Sequence, residues 1–213
     1  MDYTLRHLLI STAAKEIKSS DPSHDLEHAI RVLRNSEMIA REERADLDVI
    51  VPASLFHDLI TYAKDDPRSE NAAKESAERA RDILAGLSEY PAEKIGKAYD
   101  AIYCCSFRKG IVPESIEARI LQDADGLEAT GAISIMRTFS STGQMHRQFY
   151  EPGDPFCERR TPNDLKYGLD LFYTRLLVVE SRMHTKTAKE IAARRTRFLR
   201  DFLDELKIEL EGR

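Results

Sequence analysis

The sequence predicts an all-α protein. Apolar residues recur at three-to-four spacing through most of the chain, and continuous alternating strand patterns are missing. Capping and breaking residues fall between the periodic stretches, where helices should start and stop. The chain of 213 residues suits one domain over 1–213, long enough to bury a core. No internal repeat is visible.

Leu5, Leu8, Leu9, Ala13 and Ile17 mark a first amphipathic helix. Ser20-Asp21-Pro22-Ser23 breaks it and offers caps for the next. That second helix, about Asp25 to Glu43, turns Leu26, Ala29, Ile30, Leu33 and Met38 toward a core. A third is expected from Leu47 to Thr61, with Pro52 near its first turn, where a missing N–H does least harm. Further helices are expected from Ser69 to Leu84, ended by Gly86, and from Pro91 to Cys105. Ser106-Phe107-Arg108-Lys109-Gly110 reads as a basic turn. Pro113 and Glu114 open a helix carrying Ile116, Ile120 and Leu121 into Asp123 and Asp125. Ile133, Ile135, Met136 and Phe139 suggest one more core helix. From Ser140 to Asn163 the periodicity fails among Gly143, Pro152, Gly153, Pro155 and Pro162, which predicts a long loop. Two helices close the chain, Asp164 to Ser181 and Thr185 to Leu210.

Composition sets limits on function. Hydrophobic residues make up 42% and charged residues 32%, the balance of an ordinary globular protein. A net charge of −5 argues against nucleic acid as an obligate partner, because phosphate backbones select a basic face. It leaves room for a small phosphate, since local charge and metal override net charge. Cys104, Cys105 and Cys157 form no CxxC pair, and their odd number does not describe a disulfide scaffold, so a reducing cytoplasm is the expected setting. Met1 to Ser11 lacks the pattern of a signal peptide. Leu169 to Val179 is too short to span a bilayer and contains Arg175, so no membrane partner is expected.

Three stretches carry the chemistry. His24-Asp25-Leu26-Glu27-His28 places two imidazoles four residues apart, on one face if both are helical. His57-Asp58 stands where an apolar run ends. Asp123-Ala124-Asp125 places two carboxylates beside an apolar turn, where they repel unless a cation or donors compensate. Asp125 is the preferred ligand and Asp123 the reserve. If the stretches meet, imidazoles and carboxylates form a mixed N/O set. It suits Mn²⁺, Mg²⁺, Fe²⁺, Co²⁺ or Ni²⁺ better than a closed structural zinc. Such an ion acidifies water and polarises phosphoryl oxygens. Arg108 and Lys109 lead as cations for substrate phosphate, followed by Lys64 and by Arg31, one turn from His28. The mundane alternatives are a core histidine at His28, a helix-end ion pair at His57-Asp58 and a solvated helix end at Asp123-Asp125.

His28, His57-Asp58 and Asp125 resemble the H…HD…D signature of HD-domain metal-dependent phosphohydrolases. His24 to Val32 resembles the HDxxHxxRV opening of the small stand-alone YpgQ/YedJ type. Ser106 to Gly110, Leu121 to Gly131, and the tail from Leu176 to Leu199 fit the same group. The resemblance implies a helical HD fold with a divalent metal, Mn²⁺ foremost, held by His28, His57, Asp58 and Asp125. It implies hydrolysis of a phosphate ester or anhydride in a small, nucleotide-like substrate, with pyrophosphohydrolysis as one form. Asp58 and Glu27 are the candidates for base, with Glu128 also considered. The chain departs from the pattern at Thr61, Cys105, Gly126 and Leu171. The departures at Cys105 and Thr61 keep a second reading open, a non-catalytic HD module that binds metal and nucleotide.

Overall fold

The structure is a computed structural model and describes residues 1–18, 24–62, 66–106 and 110–212. Its helices are α1 (Tyr3–Glu16), α2 (Leu26–Glu43), α3 (Leu47–Phe56), α4 (Ala72–Ala85), α5 (Ile95–Tyr103), α6 (Ile116–Gly126), α7 (Gly131–Gln144) and α8 (Lys186–Leu210). Among the described residues the only β-type pairing is an isolated bridge between Gln148 and Tyr167, so the fold is all-α. Two compact units divide the chain, Met1–Asp125 and Gly126–Arg213.

In the first unit α3 is the hub, packing against α1, α2, α4 and α5. Its sequence explains why: every residue from Val49 to Phe56 is buried, so it has no solvent face to keep polar. Asp46 caps it, accepting from the Asp48 N–H. Pro52 lies deeper than the first turn and leaves the Asp48 carbonyl without its intrahelical donor. The Tyr90 hydroxyl takes that place, donating to the Asp48 carbonyl at 2.8 Å. The helix stops at Phe56 rather than Thr61, because Ser76 Oγ on α4 accepts from the Ile60 N–H and donates to the Ile60 carbonyl. Those bonds draw the segment after His57-Asp58 onto α4 instead of letting it continue the helix.

On α2, Asp25 is the N-cap, accepting from the His28 N–H at 2.8 Å. The expected cap segment Ser20–Ser23 lies outside the described residues. The buried face carries His28, Ala29, Val32, Leu33, Ile39 and Ala40. Met38 is off that face and 43% exposed, correcting its assignment to the core.

In the second unit α7 packs on α8, and a core forms from Leu169, Leu171, Phe172, Leu176, Leu199 and Leu203. The helix α7 runs to Gln144, so the irregular segment begins later than Ser140. Met136 is 68% exposed on it, not a core residue. Asp164 to Ser181 is not one α-helix. Gly168 donates to the Gln148 carbonyl and Leu169 to the Phe149 carbonyl, so strand-like pairing takes the donors a helix would use. A π-turn at Phe172–Leu176 and a 3-10 turn at Glu180–Arg182 follow. Asp170, fully buried, accepts from the Arg160 guanidinium and from the Asn163 N–H, pinning the irregular segment. The last helix begins at the Thr185 N-cap, as its sequence predicts.

Candidate metal centre

Three backbone elements converge here. His28 lies in the first turn of α2, on its buried face. His57 is the C-cap of α3, buried, and Asp58 follows it in a turn. Asp125 is near the end of α6. That helix is tied down within the same unit by Gln122 Nε2, which donates to the Cys104 carbonyl at 2.9 Å, and by Glu117, which accepts from the Asp46 N–H.

The ligand atoms sit close together. His28 Nε2 is 3.3 Å from His57 Nε2, 3.6 Å from Asp58 Oδ2 and 3.6 Å from Asp125 Oδ1. His57 Nε2 is 3.6 Å from Asp58 Oδ2 and 3.9 Å from Asp125 Oδ1. Ligands bound at ~2.1 Å stand roughly 3.0 Å apart across a right angle and roughly 3.4 Å apart across a tetrahedral one. The cluster is a slightly open form of that spacing, so its residues fit a divalent ion. The orientation of His57 also fits: with Nδ1 donating to the Ser54 carbonyl at 2.9 Å, the Nε2 lone pair faces the cluster.

The electrostatics favour an anionic centre. Burial works against the Asp58 charge, but the imidazoles of His57, His24 and His28 that face it outweigh it. They hold the carboxyl well below the usual aspartate range. The side chains of Asp58 and Asp125 keep 27% and 33% exposure while both imidazoles are nearly fully covered. Nitrogen ligands are thus buried and the oxygen ligands border solvent, which leaves an approach for a ligand or water.

The sequence leaves His24 and Asp123 open, and the structure separates them. His24 Nδ1 is 2.7 Å from Asp58 Oδ2, and its ring meets His28 edge-on with centroids 5.7 Å apart. It joins His28 and Asp58 in a second overlapping group of ligand atoms. Asp123 is fully buried, and it is Asp125 that shares the ligand group with His28 and His57. Glu27 is exposed in the first turn of α2, and Arg31 is half-buried one turn beyond His28. Lys64, Arg108 and Lys109 lie outside the described residues. The three cysteines form no disulfide, and burial, then the Asp170 carboxylate, push the Cys157 thiol up to about 11, far from a nucleophile's range.

The family model described as HD domain matches residues 25–130, a span that includes His28, His57, Asp58 and Asp125. YpgQ of Bacillus subtilis (strain 168) is 28% identical over 216 residues, covering 95% of this chain and 93% of YpgQ. The crystal structure of YpgQ in complex with ADP superposes with a TM-score of 0.72 at 25% identity, covering 97% of this chain and 95% of that one. An HD-superfamily hydrolase from Bacillus thuringiensis matches with a TM-score of 0.72 at 25% identity, over 99% and 98% of the two chains. The helical fold, the clustered His and Asp side chains and these matches agree: residues 25–130 of this chain are an HD domain.

Proposed function

We propose that this chain is a divalent-metal-dependent phosphohydrolase that cleaves an ester or anhydride bond of a small, nucleotide-like phosphate. The observation that carries the reading is that the Asp58 and Asp125 carboxylates each lie 3.6–3.9 Å from the His28 and His57 nitrogens, themselves 3.3 Å apart, with the carboxylates toward solvent. HD-superfamily hydrolases among its structural neighbours support the reaction class, and YpgQ in complex with ADP supports a nucleotide ligand. Mn²⁺ is the ion we favour, because two imidazoles with two carboxylates suit it better than Ca²⁺ or a structural zinc. Bound there, an ion supplies Lewis acidity to water and to a phosphoryl oxygen.

The protein's own groups do the rest. His28 and His57 would turn their Nε2 atoms to the ion, and the Ser54 carbonyl fixes the His57 ring. Asp58 stays ionised and is our first candidate to take the proton of the attacking water, with exposed Glu27 as the second. Arg31, Lys64, Arg108 and Lys109 are the cations proposed for the phosphate oxygens. The test is metal analysis of the purified chain followed by phosphate release from a nucleotide panel with Mn²⁺. His57→Ala and Asp58→Ala should each lose the metal and at least about 100-fold of the rate, as loss of a ligand group does. Full activity and metal content in either variant would sink the proposal.

A further inference from the structure

We propose that His24 is the positioning residue of this centre: its Nδ1–H holds the Asp58 carboxylate in the orientation from which Oδ2 can ligate. This rests on the metal-centre reading above. Asp58 needs such support. It follows the end of α3, in a turn, so no helical backbone fixes it, and its side chain is 27% exposed. The bond goes to the oxygen that matters. His24 Nδ1 is 2.7 Å from Oδ2, and that same Oδ2 stands 3.6 Å from Nε2 of both His28 and His57. A carboxylate oxygen has two lone pairs, so one N–H and one ion can share it.

His24 is itself held in place. Its ring rests edge-on against His28 at 77° between planes, and it stands just ahead of the Asp25 cap of α2. One segment, His24 to His28, therefore supplies both a ligand and the group that aims another ligand from a different element. The pairing explains the four-residue spacing of the two imidazoles. His28 falls inside the helix on its buried face, whereas His24 falls before the cap and reaches Asp58 from the partly exposed side.

Two variants test this through Mn²⁺ affinity, by calorimetric titration, and through the visible spectrum of the Co²⁺-loaded chain. His24→Ala removes the donor and should weaken Mn²⁺ binding about 10- to 100-fold, the range for groups that orient ligands, with a shifted Co²⁺ spectrum. His24→Asn returns an amide N–H near the place of Nδ1 and should recover affinity to within about threefold, and the wild-type spectrum with it. Unchanged affinity and spectrum in His24→Ala overturn the inference, as does a His24→Asn chain as weak as His24→Ala. If the wild-type chain binds neither ion, the metal-centre reading fails and takes this inference with it. If the wild-type chain binds while His24→Ala matches it, this inference alone fails.

Discussion

Asp170 and Asp58 are both held below the ordinary aspartate range, by different partners. For Asp170, burial works against the charge, and the Arg160 hydrogen bond and the Asn163 N–H outweigh it. A depressed folded pKa contributes stability that is present above the unfolded value near 3.8 and lost as pH falls through the folded value. Asp170→Asn should therefore flatten the acid side of the melting-temperature profile below about pH 4. Asp170→Ala should cost about 3 kcal/mol at neutral pH, because it strands Arg160 and the Asn163 N–H. A thermal melt of each variant across pH decides it; an unchanged profile in Asp170→Asn would contradict the assignment. At this scale the sequence was most informative where residue type alone restricts the chemistry. Type and spacing bring forward His24, His28, His57, Asp58, Asp123 and Asp125, the resemblance to the HD family narrows them to His28, His57, Asp58 and Asp125, and the structure brings those four near one another. The role of His24 was not legible, because spacing does not say which ring nitrogen meets which carboxylate.

Among the elements, α3 shows how a local rule is satisfied by a distant residue. Pro52 costs a hydrogen bond inside the helix, and Tyr90 restores it from outside. Tyr90→Phe should destabilise the protein by about 1–2 kcal/mol in urea unfolding, the cost of an unsatisfied buried carbonyl. In a Pro52→Ala background, where residue 52 regains an N–H for the Asp48 carbonyl, the same change should cost less. Equal costs in both backgrounds would mean the two groups are not coupled. Helix identities were legible from periodicity, and their ends were less so. The third helix was drawn five residues too long because Ser76 lies on another element, invisible to a local pattern. The stretch from Asp164 to Ser181 has helical periodicity, yet pairing of Gly168 and Leu169 with Gln148 and Phe149 overrides it. The apolar pattern directs Met38 and Met136 toward the core, and the register of their helices turns them outward.

For the whole molecule, the acidic balance and the site agree. A net charge of −5 does not prevent phosphate binding if a divalent ion sits among the His and Asp ligands, since the ion is then the largest local charge. No described helix is long and apolar enough to cross a membrane. The likeness to YpgQ covers 95% of the chain, so it extends beyond residues 25–130. The central claim is metal-dependent phosphate hydrolysis, and one measurement meets it directly. A single preparation is stripped with chelator and assayed for phosphate release with nucleoside di- and triphosphates, then assayed again after Mn²⁺ is restored. Nucleotide products are also separated by chromatography in both assays, so that a reaction releasing pyrophosphate is read without a second metal-dependent enzyme. The stripped chain should release negligible phosphate, and adding Mn²⁺ should restore release. Release that is equal in both states, or a Mn²⁺-loaded chain that turns over none of these nucleotides, would contradict it.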